Sequence, residues 1–206
     1  MRIVYIHQYF NTPGMPGATR SYELARRFVA AGHDVDMITT DRSDRIGGTR
    51  SNIRETREAG IRVHWLPVPY SNRLGYVARI RAFFDFAFRA SSLGARTDAD
   101  IVFATSTPLT VALPGIYAAR RQGIPMIFEV RDLWPEVPIA VGALNSCIAR
   151  MAARLLERVA YAKSAHIVAL SPAMKDGIVA AGYPADQVTV VPNMSNTDEF
   201  DPRQNS

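Results

Sequence analysis

Cysteine, lysine and long apolar runs are scarce in this sequence of 206 residues. Cys147 is the only cysteine, which excludes an intramolecular disulfide and a zinc site built from several cysteines. The four histidines lie far apart in the sequence and show no metal-ligand spacing. We therefore expect neither a metal ion nor another cofactor.

The longest stretch without a charged residue runs from Ile101 to Ala119, which is long enough to consider a membrane span. It contains three threonines, a serine, two prolines and a glycine, so a buried strand, a turn and a buried helix explain it better. The first ten residues lack the pattern of a cleavable signal peptide. We therefore expect a cytoplasmic protein.

Positive charge is concentrated in two segments, although the formal net charge is only +5. Residues 42–62 contain six arginines and three acidic residues, and residues 73–96 contain five arginines and one acidic residue. Such local charge favours an anionic partner at one place. The sequence pI of 9.7 raises nucleic acid as an alternative partner, but no aromatic-basic RNA motif accompanies it, so we expect none.

Short apolar segments alternate with amphipathic ones along most of the chain. We predict strands at 3–6, 35–38, 61–66, 101–104, 125–130, 167–170 and 188–191. We predict helices at 19–31, 74–93, 108–121, 145–161 and 172–181, and a long loop at 41–60. This alternation predicts an α/β fold with a Rossmann-like parallel sheet and helices on both faces. Residues 1–195 would form this domain, and 196–206 a polar tail.

The first candidate site is the loop after the first strand, because such sheets bind ligands beside the carboxyl ends of their strands. This loop contains Gly14 and Gly17 and leads into a helix that begins near Arg20. Backbone amides at a helix N-terminus and a bidentate arginine favour a phosphate group. The spacing matches neither a Walker A loop nor a G-x-G-x-x-G motif, and a plain strand-to-helix turn explains the glycines equally well.

The second candidate site runs from Glu129 to Glu136 and follows a strongly apolar strand. Four charged residues stand beside Trp134 there, and such polarity next to a buried strand is costly unless it is paired or functional. Asp132 and Glu136 would bind hydroxyl groups or accept a proton, and Trp134 would stack on a sugar. The alternative is a structural pair between Arg131 and a carboxylate, with the tryptophan in the core.

Several phrases of the sequence resemble the retaining glycosyltransferases of family four, which have the GT-B fold. RDLWPE at 131–136 is similar to a loop of the bacterial branch that builds surface polysaccharides on lipid carriers, and HQYF at 7–10 resembles the opening of its fucosamine-type transferases. AAGHDV at 30–35 resembles the phrase after the family's first helix, and VPN at 191–193 resembles its hinge. The usual Gly-Gly of the first loop is Pro16-Gly17 here.

The resemblance implies that this chain is the N-terminal, acceptor-side half of a hexosyltransferase in lipopolysaccharide, O-antigen or capsule synthesis. A nucleotide-sugar donor would bind mainly to a second domain beyond the hinge at 196–206, and a lipid-linked saccharide would be the acceptor. We expect the isolated chain to be inactive. Retaining front-face displacement would require no protein nucleophile and no metal, because the leaving phosphate helps to take the acceptor proton.

The same resemblance implies roles for individual residues. Asp132 would be the catalytic residue. The residues facing the donor diphosphate would be Gly14, Gly17 and Arg20. The residues lining the acceptor side would be His7, Glu129, Arg131, Trp134 and Glu136. The alternative function is a stand-alone Rossmann-like nucleotide-binding module, against which the missing G-x-G-x-x-G motif argues.

The helix predicted in the basic segment 73–96 has two apolar stripes. We assign the first stripe, which consists of Val77, Ile80, Phe84 and Phe88, to the core. The second stripe consists of Tyr76, Phe83, Phe86 and Ala90. With its flanking arginines it would contact an anionic membrane, placing the protein peripherally at the inner face of the cytoplasmic membrane. A helix buried on both sides is the alternative. A row of arginines at 150, 154 and 158 predicts a solvated face on a later helix.

Overall fold

One sheet of eight strands forms the centre of the computed structural model, which describes residues 1–41, 53–68, 75–133 and 146–193. The strands are β1 (Arg2–Ile6), β2 (Asp34–Thr40), β3 (Arg54–Glu58), β4 (Ile61–Leu66), β5 (Ile101–Thr105), β6 (Met126–Val130), β7 (His166–Ala169) and β8 (Val188–Val190). Their order is β3-β4-β2-β1-β5-β6-β7-β8, and all neighbouring pairs except β3 and β4 are parallel. This confirms the predicted α/β fold.

The central strand β1 is apolar on both faces, which is typical of parallel strands covered by helices on both sides. Its residues from Ile3 to Ile6 are all buried. Ile3 lies opposite Val35 of β2 on one side and Ile101 of β5 on the other. Strands β2 to β4 lie on one side of β1, and strands β5 to β8 lie on the other side. The strand order therefore reverses between β1 and β5, which is the switch point of the fold.

The described part of the chain contains five α-helices, and they cover both faces of the sheet. They are α1 (Arg20–Ala30), α2 (Tyr76–Gly94), α3 (Ala112–Gln122), α4 (Cys147–Ala162) and α5 (Pro172–Ala180). Helix α1 packs on one face, whereas buried side chains of α2 to α5 form a single core cluster on the other. The helix predicted at 108–121 is divided, because a 3-10 turn at Leu109–Val111 precedes α3.

The loop predicted at 41–60 is wrong at 54–58, which forms an edge strand, and its residues 42–52 lie outside the described residues. Strand β3 pairs antiparallel with β4 through a two-residue turn at Ala59 and Gly60. Both turn residues have positive φ, 48° and 84°, the geometry of tight hairpin turns that match the twist of the strands. Four of the five β3 residues are charged, so hydrophobic periodicity contains no strand signal. The Trp65 indole N–H donates to Thr56 Oγ1 at 2.8 Å and helps to hold the strand.

Helix α2 exposes the stripe that we assigned to the core, so that assignment is wrong. Val77, Phe84 and Phe88 are 79%, 55% and 77% exposed. Phe86 and Ala90, which we assigned to the outer stripe, are fully buried. Because both stripes are apolar, the periodicity identifies the helix but not the side that faces the sheet.

The C-terminal boundary of the domain stays a prediction. The chain from 194 onward lies outside the described residues, and these include the tail predicted at 196–206. Asn145, the predicted cap of the helix at 145–161, also lies outside them, and α4 begins at Cys147.

Candidate functional site

A cleft of about 380 Å³ opens at the carboxyl ends of the central strands. Residues that follow β1, β5, β6, β7 and β8 line it, so it straddles the switch point between β1 and β5. The lining residues are His7, Tyr9, Asn11, Ala18, Thr107, Arg131, Asp132, Leu170 and Asn193. Open parallel sheets bind their ligands at this position.

Asp132 is held in the cleft by the loop that follows β5. The Thr107 hydroxyl donates a hydrogen bond of 2.7 Å to Asp132 Oδ2. Thr107 has a φ of 88°, a value that β-branched residues rarely adopt, so its surroundings must fix its backbone. The Arg131 amide donates to Ser106 Oγ at 2.8 Å and joins the same two loops. Within the described residues, Asp132 Oδ1 has no hydrogen-bond partner.

Arg131 presents a cationic group to the cleft. Its side chain is half-buried, and among the described residues its guanidinium has neither an ion pair nor a hydrogen bond. Such a planar group offers five N–H donors and binds phosphate or carboxylate groups in a bidentate manner. The alternative of a structural pair with a carboxylate therefore finds no partner in the described chain.

Gly17 is required by the geometry of the first loop, whereas Gly14 is not. Gly17 has a φ of 122°, and a Cβ atom there would lie 2.6 Å from Asn11 Nδ2. Asn11 is buried and donates from Nδ2 to the Ala18 carbonyl at 3.2 Å, which closes the loop beside the cleft. Gly14 is exposed, and a Cβ atom there would meet open space. Neither glycine is among the residues that line the cleft.

Phe10 anchors the same loop to the sheet. Its ring is fully buried, and its centroid lies 5.9 Å from that of Trp65. The Phe10 amide donates to Thr39 Oγ1 at 3.2 Å, and that hydroxyl donates to the Gln8 carbonyl at 3.2 Å. His7, only 2% exposed, precedes this anchor and lines the cleft, and its acceptor-side role stays a prediction.

Arg20 and Glu129 pair with each other and line no part of the cleft, contrary to the roles that we predicted from the resemblance. Arg20 Nε and Nη2 lie 3.0 and 2.9 Å from Glu129 Oε1, and the Glu129 side chain is wholly buried. Arg20 also donates to the carbonyls of Pro192 and Val191 at 2.7 and 2.8 Å. In the structure, both residues therefore stabilise the fold at the point where the chain leaves β8.

A hydrogen-bond chain supports the other oxygen of the Glu129 carboxylate. Thr105 Oγ1 lies 3.0 Å from Glu129 Oε2 and 3.2 Å from the Tyr5 hydroxyl oxygen. Because a threonine hydroxyl has one proton, Thr105 donates to Glu129 and accepts from Tyr5. Burial, together with the negative charge of Glu129, raises the pKa of Tyr5 and keeps it a donor.

Other predicted site residues are untested, and several residues of the cleft were missed. Trp134 and Glu136 lie outside the described residues, so their acceptor-side roles stay predictions. The residues that line the cleft but received no role in the sequence analysis are Tyr9, Asn11, Ala18, Thr107, Leu170 and Asn193. Tyr9 and Asn193 lie in the phrases that resemble the family, and Leu170 ends a predicted strand, whereas the other three had only their position in loops after predicted strands as a signal.

No group of three or more histidine, cysteine, aspartate or glutamate side chains in the described ranges is placed to hold a metal ion. Within the same ranges, a helix with the length and apolar character needed to span a bilayer was not found.

Solved structures place this fold in a class. Sucrose-phosphate synthase from Thermosynechococcus elongatus is similar, with a TM-score of 0.69 and 14% identity over 97% of this chain and 49% of that chain. The catalytic domain of starch synthase IV from Arabidopsis thaliana, bound to ADP and acarbose, has a TM-score of 0.67 and 15% identity, over 97% and 53% of the two chains. HepE from Anabaena, in complex with UDP-glucose, has a TM-score of 0.52 and 14% identity, over 100% and 49%.

These likenesses define the fold as that of the GT-B glycosyltransferases, and this chain spans about half the length of each of the three. The model of the glycosyl transferase 4-like domain matches residues 17–194. The chain therefore belongs to the glycosyl transferase 4-like domain family. No curated protein gives a match. The predicted GT-B glycosyltransferase family is confirmed at this level.

Proposed function

We propose that this chain is the acceptor-side domain of a retaining glycosyltransferase that moves a hexose-type sugar from a nucleotide to a lipid-linked saccharide. The observation that carries the proposal is the cleft at the switch point, where the Arg131 guanidinium and the positioned Asp132 face one volume. Family membership supports sugar transfer. The UDP-glucose complex of HepE and the ADP complex of starch synthase IV support a nucleotide-linked donor.

Asp132 contacts the reacting hydroxyl in this proposal. Its Oδ2 is held by Thr107, so its Oδ1 accepts a hydrogen bond from the acceptor hydroxyl and orients that oxygen. The acceptor oxygen then forms a bond with the anomeric carbon while the bond from that carbon to the phosphate oxygen breaks. The hydroxyl proton passes to the leaving phosphate, so no protein nucleophile takes part.

Arg131 holds an anionic group of the acceptor. A saccharide on a lipid carrier is joined to its lipid through phosphate, and a guanidinium without a protein partner is suited to bind phosphate in a bidentate manner. His7 lies in the same lining and contacts the acceptor from the end of β1. The first loop, closed by Gly17 and Asn11, faces the donor diphosphate with its backbone amides.

A role in lipopolysaccharide, O-antigen or capsule synthesis is part of the proposal. Its support is the resemblance of the segments at 7–10 and 131–136 to the bacterial branch that builds such polymers. Because these polymers grow on lipid-linked saccharides, the protein would work peripherally at the cytoplasmic face of the membrane. The nucleotide sugar would bind mainly to a second domain, and no metal or other cofactor is proposed.

Acceptor-dependent sugar transfer by the full-length protein tests this function. A panel of UDP-, GDP- and ADP-sugars is combined with lipid-linked saccharides, and the acceptor mass is measured by mass spectrometry. We expect one donor to add a single sugar, with release of its nucleotide only when the acceptor is present. Nucleotide release without any sugar on an acceptor, or no reaction with any donor, would contradict the proposal.

A stand-alone nucleotide-binding module is the second candidate. The observation that favours it is that five strand ends of this one domain already enclose a cleft. In that case the 206-residue chain alone would bind NAD or a related dinucleotide tightly and saturably. Such binding, measured by calorimetry, together with no transfer by the full-length protein, would favour this candidate.

A further inference from the structure

Helix α4 carries an apolar stripe on its outer side. Ile148, Met151 and Leu155 are between 63% and 76% exposed, and Val159 continues the same row. The spacings of three and four residues place these side chains on one side of the helix. The inner side is formed by Ala160 and other residues that pack on the sheet. Large apolar side chains in a contiguous exposed row indicate an interaction surface.

The outer stripe of α4 and the exposed stripe of α2 belong to one surface. Buried residues of α2, α3 and α4, including Ala90, Ala118 and Ala160, join the same core cluster, so the three helices cover the same face of the sheet. Helix α3 packs against both of the others, and its Tyr117 is 48% exposed. We call this surface the α2–α4 face; its apolar residues are Val77, Phe84, Phe88, Tyr117, Ile148, Met151, Leu155 and Val159.

The α2–α4 face is strongly basic. Residues 75–96, 112–122 and 146–163 contain ten basic and two acidic residues, a net charge of +8, whereas the whole chain has +5. Of the two acidic residues, Glu157 is buried beneath α4, and Asp85 is paired with Arg89 at 2.8 Å. The arginine row at 150, 154 and 158 was predicted as a solvated face, and Arg154 and Arg158 are exposed beside the apolar stripe.

We propose that the α2–α4 face docks on an anionic lipid bilayer. Exposed apolar rows flanked by arginines match the boundary between lipid headgroups and acyl chains, where apolar side chains enter and arginines remain at the phosphates. The scarcity of exposed carboxylates on these helices favours a negatively charged surface over a protein partner of mixed charge. The source of the anionic group is the bilayer headgroup.

Docking in this way brings the cleft to the membrane. A helix that follows a strand of a parallel sheet begins at the carboxyl edge of that sheet, which is the edge with the cleft. Val77 and Ile148 stand at the beginnings of α2 and α4 and therefore at this edge. A lipid-linked acceptor would reach the cleft while its lipid stays in the bilayer. This positional argument rests on the proposed function, whereas lipid binding itself does not.

Co-flotation of the 206-residue chain with vesicles tests the proposal. One set of vesicles is phosphatidylcholine, and the other is an equimolar mixture of phosphatidylcholine and phosphatidylglycerol. We expect flotation only with the anionic vesicles, and loss of flotation at high salt. Phe84→Ser with Phe88→Ser, and separately Met151→Ser with Leu155→Ser, should each lower the partition coefficient at least about tenfold. Arg154→Gln with Arg158→Gln should lower it about fivefold per arginine.

A matched control is available on the β3 edge of the sheet. Ile53→Ser with Arg57→Gln combines one apolar-to-serine change with one arginine-to-glutamine change at exposed positions outside the α2–α4 face and should leave flotation unchanged. Circular dichroism confirms that each variant folds. No flotation of the wild-type chain, or equal flotation of all variants, overturns the proposal.

Light scattering distinguishes a protein partner from the membrane. A lipid-independent dimer that the serine variants convert to a monomer would overturn the proposal, because the face would then bind a second copy of the chain. Transfer to a water-soluble acceptor analogue separates the two claims. Sugar transfer without flotation on vesicles would overturn only the proposed docking surface. Flotation without any sugar transfer would overturn only the proposed function.

Discussion

Arg20 and Glu129 form a buried ion pair across 109 residues of sequence. The same arginine donates hydrogen bonds to the carbonyls of Val191 and Pro192, which directly precede Asn193. The pair therefore joins the start of α1, the end of β6 and the exit from β8. Asn193 lines the cleft one residue beyond this attachment. We infer that Arg20 is a positioning residue that fixes the wall of the cleft on the β8 side.

Replacing Arg20 with methionine should destabilise the chain strongly. The Glu129 carboxylate would remain buried without its counter-charge, which costs about 3–5 kcal/mol of the free energy of unfolding. Urea unfolding measures this loss. Arg27→Met, which removes an exposed pair with Glu23 on the same helix, should cost less than about 1 kcal/mol. Equal losses in the two variants would show that the Arg20 pair has no special structural role.

The first loop should tolerate a side chain at one of its glycines only. Gly17→Ala should lower the free energy of unfolding by about 1–3 kcal/mol, because φ is positive there and the new Cβ meets Asn11. Gly14→Ala should be neutral or slightly stabilising, since its surroundings are open. Thermal unfolding of both variants measures the difference. A Gly17→Ala variant as stable as Gly14→Ala would contradict the loop geometry.

Low pH should weaken the contacts of Asp36 on β2 with Arg62 and His64 and so lower the free energy of unfolding. Burial alone would raise the pKa of Asp36, but hydrogen bonds and positive charge from Arg62 and His64 outweigh it and lower the pKa from 3.8 to about 2. A carboxyl with a lowered pKa stabilises the folded state above its unfolded pKa, and this stabilisation is lost as pH falls through the folded pKa. The contribution near neutral pH is on the order of 1–2 kcal/mol, because half-exposed Arg62 is partly screened by water.

Asp36→Asn tests this pH dependence. The stability difference between wild type and variant should be constant near neutral pH and should shrink as pH falls from about 4 to about 2. Asp176→Asn, an exposed position on α5, should show no such change. Urea unfolding at several pH values measures both differences. A wild-type advantage that persists at pH 2 would mean that Asp36 is not paired as described.

Arg131→Gln in the full-length protein should impair acceptor binding more than turnover. Loss of charged hydrogen bonds to an acceptor phosphate should raise the KM for the acceptor about 10- to 100-fold, with a smaller effect on kcat. Steady-state kinetics with varied acceptor measures both constants. Arg57→Gln, an exposed substitution on β3 and outside the α2–α4 face, is the matched control. An unchanged acceptor KM would remove Arg131 from the acceptor site.

The fold was predictable where periodicity decides the element. The strand predicted at 61–66 has the bounds observed for β4, because buried Ile61, Val63 and Trp65 alternate with the polar residues Arg62 and His64. The edge strand β3 was not predictable, since its charged residues gain their pairing from β4 alone. The side of α2 that faces the sheet was also undetermined, because the helix is apolar on two sides.

The site was predictable where unusual polarity follows a buried strand and, for His7, from the family resemblance. Arg131 and Asp132 were found in this way, and the structure brings both to the cleft. Thr107 gave no such signal, because its role depends on the approach of the loop after β5 to that after β6. The pairing of Arg20 with Glu129 was hidden by their separation in sequence, so two charged residues beside strand ends were assigned to ligands.

The kcat of the Asp132→Asn variant in acceptor-dependent sugar transfer tests the central claim most directly. Asparagine keeps the shape of the side chain but removes the charge that orients the acceptor hydroxyl, so kcat should fall at least about 100-fold with the fold intact. Asp186→Asn, an exposed substitution outside the cleft, should leave kcat unchanged. Wild-type turnover by a correctly folded Asp132→Asn variant would contradict the assignment of this cleft as the place of sugar transfer.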